Sequence, residues 1–253
     1  MPDHSSDTTE RAGAVRSRRA HRARPTDWRL GGPTTQGWRE GLLAVALMGL
    51  GLGMLAGIGA QQLGAPPAVS QLLLWLGMLV AVVIGFARSR PAGLLRVRPV
   101  DVLWAIGLGL ALRLAQGWIA AAGGDTGLPA LTTVDGHLPG TWWFDGLIAP
   151  VLLAPAIEEL FFRAVVLIAL YTMLRRPFGG LAAGTVALLV STALFVAVHA
   201  FGGTLEVADL TSLGALGLVC GLLVLLTGRL APALGVHIVY NALGVALAFI
   251  GTP

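Results

Sequence analysis

Lysine is absent from this chain, and cysteine occurs once, at Cys220. A lone thiol forms no internal disulfide and cannot build a cysteine zinc cluster, so disulfide-stapled and zinc-finger scaffolds are excluded. Charge is also scarce, at 12% of the composition, about half of what a soluble domain carries. Hydrophobic residues fill the space, at 55%, and the mean hydropathy is +0.78. They fall in runs of about 20 residues, the length a helix needs to cross a bilayer. The runs lack period-two alternation and are rich in Leu and Ala, which argues against membrane strands. The predicted fold is all-α, a polytopic transmembrane bundle of about seven helices.

The apolar runs divide the chain into three parts. Residues 1–40 are polar, Arg-rich and broken by Pro25 and Pro33, and are expected to form a disordered tail. Residues 41–142 hold three runs: Gly41 to about Leu63, Ala68 to about Ala87, and Val100 to about Ala122. Residues 143–250 hold four more: about Phe144 to Leu174, Leu181 to Phe201, Leu210 to Thr227, and Ala231 to Ile250. Trp142 and Trp143 mark a membrane interface, where amphipathic rings settle. The stretch before the first run is too long for an ordinary secretory signal.

All 17 basic residues are arginines, and eight of them lie between Arg11 and Arg39. Such a tail can suggest nucleic-acid binding, but it is commonly a topology signal beside a first membrane helix, and no nucleic-acid partner is expected. With the tail inside, seven crossings place the loops bearing Arg88 to Arg98, Arg175 and Arg176, and Arg229 on the cytoplasmic face. The loops at 61–67, 123–142 and 202–209 then lie outside and carry no Arg. Only Arg113 and Arg163 fall within apolar runs.

A charge in hydrocarbon costs about 3 kcal/mol or more, so charges there need a reason. Glu158, Glu159 and Arg163 sit together in the fourth run. Glu159 and Arg163, four apart, share a helix face and can pair; Glu158 is left without a local partner. Adjacent carboxylates disfavour being ionised together, a property suited to general acid–base work in a dry pocket. His199 follows Phe195 by four in the fifth run, and His237 precedes Asn241 by four in the seventh. A single His on an apolar helix is usually a satisfied core residue. Three polar clusters on three helices need partners, and one another is the economical choice. By residue count, His237 and Asn241 sit nearer the Arg-bearing ends than Glu158 and His199 do, which a common site must reconcile.

Three motifs then stand in order. Glu158-Glu159-Leu160-Phe161-Phe162-Arg163 resembles the E-E-x-x-x-R motif of the CAAX-processing and bacteriocin-processing (CPBP, Abi-type) intramembrane proteases. Phe195 to His199 resembles their F-x-x-x-H, and His237 to Asn241 their H-x-x-x-N. The resemblance covers about residues 143–250, with Ala164 where the family usually has Gly. It implies an intramembrane endopeptidase acting on a membrane-associated or lipidated peptide. Glu158 would activate water, with Glu159 and Arg163 holding and tuning it. His199 would be a second group on that water, and His237 and Asn241 would be oxyanion donors. The family is often labelled metalloprotease; if a divalent metal such as zinc is bound, Glu158, His199 and His237 are its ligands.

Two other functions fit intramembrane Glu, Arg and His: a proton-coupled transporter, or a non-catalytic scaffold or immunity factor. The chain shows no two similar halves, which argues against the transporter. The Arg-only basic set and the richness in Ala, Gly and Leu suggest a GC-rich bacterial gene. A multi-pass protein of the plasma membrane with a cytoplasmic N-terminus is expected, with the bilayer and a peptide as its partners.

Overall fold

The computed structural model describes residues 27–125, 127–133, 135–201 and 206–252. Two short 3₁₀ turns, Trp28–Leu30 and Pro33–Thr35, precede helices α1 (Glu40–Gln62), α2 (Pro67–Arg88) and α3 (Val100–Ala122). A long helical stretch follows. It consists of a π-helical segment π1 (Trp143–Leu153), a short α4 (Ala154–Glu158), a second π-segment π2 (Glu159–Val166) and α5 (Leu167–Ala200). Helices α6 (Val207–Thr227) and α7 (Ala231–Ile250) complete the order, and no strand occurs among the described residues.

Among the described residues, six helical stretches are long and apolar enough to cross a membrane. The stretch Trp143–Ala200 has 58 residues. As a straight helix it would be about 87 Å long, against a hydrocarbon core of about 30 Å. It turns back instead at Gly179, whose φ of 80° and ψ of 167° are not helical and suit a residue without Cβ. The second limb returns along the first: the Ser191 hydroxyl donates to the Phe162 carbonyl at 2.9 Å, and the Phe162 and Phe195 rings meet edge-on at 5.5 Å. Counting both limbs gives the seven crossings expected from the apolar runs.

Between lipid-solvated helices there is little hydrophobic gain, so close packing must come from small residues. Helices α1 and α2 form such a pair. Gly49, Gly53 and Gly57 recur every fourth residue on α1. A Cβ at Gly49 would strike the Gly77 carbonyl, and one at Gly53 would lie 2.9 Å from the Leu73 carbonyl. Ser70 ties the far end, donating to the Gly57 carbonyl at 2.9 Å. Helix α3 packs on α6 and α7, and α5 on α6. Segment π2 packs against α1, α2, α5 and α6. Phe161, Phe162, Arg163, Ala164 and Val165 have no exposed surface, as a central membrane helix requires.

The expected disordered tail does not hold over residues 27–40; residues 1–26 lie outside the described residues. Trp28 and Trp38 are fully buried. Trp28 bonds the Ala92 carbonyl through its backbone N–H and the Gly228 carbonyl through Nε1. Arg29 hydrogen-bonds Asp27, holding its carboxyl below the usual range, and also donates to the Leu225 and Leu226 carbonyls at the end of α6. Trp38 donates to Ser89. Polar composition suggested disorder, but two indoles and a few backbone bonds to remote segments outweigh it. These contacts put residues 27–38, the 88–98 loop and the turn at 228–230 in one layer. Arg175 joins it, lying against Gly31. The Arg-bearing loops thus share one end of the bundle.

Candidate active site

The site is built on the junction of α4 and π2. The N–H of Ala154 bonds the Ala149 carbonyl, and that of Leu167 bonds the Phe162 carbonyl, the wide i→i+5 spacing of a π turn. Pro155 has no N–H to give. The Pro150 carbonyl is therefore left without a helical donor, and the Asn241 side-chain amide supplies one at 2.7 Å. The extra width of the π turns and an unclosed carbonyl open this helix towards α7.

Glu158 and Glu159 face different surroundings. Glu159 and Arg163 have no exposed side-chain surface, and Glu159 Oε2 stands 3.4 Å from Arg163 Nε. The guanidinium also donates to the Gly217 carbonyl at 3.3 Å and lies 4.5 Å above the centre of the Phe195 ring. A side chain at Gly217 would crowd Thr192 and this guanidinium, so the glycine opens the α6 backbone to Arg163. The other Glu159 oxygen meets His237 Nδ1 at 2.9 Å. The ion-pair partner expected for Glu159 is thus present, and His237 is added to it.

Glu158 is 7% exposed, and its Oε2 has no hydrogen-bond partner in the protein. His237 Nε2 lies 3.8 Å away. His199 Nδ1 lies 2.8 Å from the Phe195 carbonyl, four residues back. A carbonyl only accepts, so Nδ1 carries the hydrogen and Nε2 is the ring's remaining acceptor. Glu158, His199, His237 and Asn241 line one cavity of about 520 Å³. A second cavity of about 330 Å³, between α1 and α2, also reaches Glu158 and His199. All six residues singled out from the sequence therefore belong to one constellation: four on the cavity wall, and Glu159 and Arg163 behind it.

The difference in depth is resolved from below. Helix α7 begins within the bundle rather than at its rim. Arg229 is 8% exposed and paired with Asp101, while Leu94 and Trp28 bond the 228–230 turn. His237 is thereby raised to the level of Glu159.

The three possible metal ligands, Glu158, His199 and His237, share the cavity wall. They do not converge as a set, because no three His, Cys, Asp or Glu side chains among the described residues are grouped to hold an ion. The histidine Nδ1 atoms are both engaged, which leaves Nε2 as the open nitrogen of each ring.

The sequence reading left Arg113 aside as an exception, but the fold brings it to the cavity. Its guanidinium donates to the Tyr240 carbonyl and to Gln116, and lies 3.9 Å above the Tyr240 ring centre. Gly244 leaves room for it on α7. An arginine in the middle of an apolar run was the available signal. Trp75 and Asp145, also on the cavity wall, gave none.

No curated protein and no solved structure gives a significant match to this chain. The match to a family model covers the site: it begins just before π1 and ends just after Asn241. It supports an intramembrane endopeptidase of the CAAX type in a multi-pass membrane protein. Residues 140–243 match the model of the Rce1-like type II CAAX prenyl endopeptidases, the family that the three motifs resemble.

Proposed function

We propose that the chain is a glutamate-type intramembrane endopeptidase that hydrolyses a peptide bond of a membrane-associated or lipidated peptide. The observation that carries this reading is the unpartnered Oε2 of buried Glu158, which faces a cavity shared with His199, His237 and Asn241. Glu158 removes a proton from water, while His199 Nε2 accepts the water's second hydrogen. The hydroxide adds to the carbonyl carbon, and the carbonyl oxygen becomes an oxyanion. Nε2–H of His237 and the second amide hydrogen of Asn241 are the donors proposed for it. The Glu159 carboxylate orients the His237 ring through Nδ1. When the carbon–nitrogen bond breaks, Glu158 passes its proton to the leaving amine, and the carboxylate is restored.

The two cavities suit an amphipathic substrate. Each has both kinds of wall: the smaller sets Met54, Ile58 and Leu74 beside Gln61 and Gln71. The larger sets Trp75, Leu213 and Leu216 beside Arg113, Asp145 and Asn241. The protein resides in the plasma membrane, with its Arg-bearing end in the cytoplasm. The test is cleavage of matched prenylated and unprenylated peptides by purified protein in nanodiscs, with Glu158→Gln as control. Cleavage by the parent and not by the variant supports the reading. No cleavage of any membrane peptide by folded protein, or equal cleavage by both, overturns it.

A further inference from the structure

A third pocket lies at the Arg-bearing end of the bundle, away from the site above. It has a volume of about 390 Å³, and Asp27, Arg29, Arg96, Arg98 and Arg229 line it. Three separate parts of the chain converge there: the ordered segment before α1, the loop between α2 and α3, and the turn between α6 and α7. Two of the arginines are fixed in place. Arg29 is held by Asp27 and by carbonyls at the end of α6, and Arg229 by Asp101. Arg96 and Arg98 form no ion pair among the described residues. Four guanidiniums against the carboxylates of Asp27 and Asp101 leave a surplus of two positive charges. Gly93 and Gly228, at φ 82° and 71°, also line the pocket, and the Arg29 guanidinium packs over Gly228.

A cytoplasmic bias of arginines explains their sign but not their convergence on one concavity. The surroundings point to the ligand. Leu226 on the pocket wall is 71% exposed, and Val97, between the two unpaired arginines, is 75% exposed. Apolar surface beside a cationic pocket at the end of a membrane bundle suits a molecule with a phosphate and acyl chains. We propose that this pocket binds the phosphate headgroup of an anionic phospholipid, with Arg96 and Arg98 supplying the unpaired charge. The bound headgroup clasps the residue 27–29 segment, the 93–98 loop and the 226–229 turn, the layer that sets the height of α7.

The test uses the full chain purified in a neutral maltoside detergent. Its melting temperature is followed during titration with phosphatidylglycerol, phosphatidylcholine or sodium phosphate, and native mass spectrometry counts retained lipid. Phosphatidylglycerol should raise the melting temperature by several degrees and be retained near one equivalent, with little response to phosphatidylcholine. Arg96→Gln/Arg98→Gln should melt as the parent does without lipid and lose most of the response. Val97→Glu, at an exposed loop position, should lose retention as well, which keeps the test decisive if the double variant does not fold. Equal responses to the two lipids, or full retention of phosphatidylglycerol by these variants, would overturn the proposal. A full response to sodium phosphate alone would overturn the lipid as its source.

Discussion

Glu158 and Glu159 are neighbours in the chain, yet the structure assigns them separable fates on conversion to glutamine. Glu159 and Arg163 are both without exposed surface and stand 3.4 Å apart. In Glu159→Gln the side-chain oxygen can still accept from His237 Nδ1, so that hydrogen bond survives. The charge does not survive, and Arg163 keeps only the Gly217 carbonyl and the Phe195 ring face. Breaking a buried pair in this way costs about 3–5 kcal/mol. At roughly 2–4 °C per kcal/mol for a chain of this size, the melting temperature should fall by about 6–20 °C. Glu158 has no such tie. The nearest side chain that could pair with it is the His237 imidazole at 3.8 Å, and its Oε2 bonds nothing in the protein. Glu158→Gln removes a buried charge without stranding another, so its melting temperature should stay within about 2 °C of the parent. Turnover should fall by about a hundredfold or more, the usual loss for a general base. Both variants are measured in one detergent by intrinsic fluorescence melting and by peptide cleavage. A Glu158→Gln protein with parental turnover refutes the assignment of the base. A Glu159→Gln protein that melts with the parent refutes the division of labour.

Asn241→Ala should lower turnover by about a hundredfold, as loss of an oxyanion donor does, and should destabilise the fold by about 1–3 kcal/mol, because the Pro150 carbonyl loses its donor. Adding Pro155→Ala supplies a backbone N–H near that carbonyl; thermal melts should show stability recovering while cleavage assays show turnover still absent. Trp28→Ala removes a buried ring and its bond to Gly228, and should cost about 3–5 kcal/mol in chemical or thermal unfolding. Gly77→Val forces a side chain against the Gly49 backbone and should loosen α1 from α2, read as a destabilisation of at least about 1–3 kcal/mol. Reporter fusions at Gly127 and at the C-terminus should read outside and one after Arg176 inside; the reverse pattern would refute the cytoplasmic placement of the Arg-bearing end.

The parts of this molecule that were legible in the sequence are those set by local composition. Hydropathy located every crossing, and the Pro177-Phe178-Gly179-Gly180 stretch between two apolar runs marked the turn that Gly179 makes. The site residues were legible because charge and imidazole are conspicuous in apolar helices. What stayed hidden depends on backbone register and on remote partners. Hydropathy is the same for α and π turns, so the widening around Glu158 has no signature in composition. The significance of Pro155 appears only when its missing N–H is matched with Asn241 on another helix. The order in residues 27–38 rests on bonds such as Trp28 to Gly228, 200 positions apart, which no local window contains. These hidden features act on the legible ones. The layer anchored by Trp28 raises α7 until His237 meets Glu159, and the open Pro150 carbonyl then fixes Asn241 beside the cavity. The motifs name the groups proposed to react, but their meeting depends on a turn register, a proline and a pair of buried indoles that no motif contains.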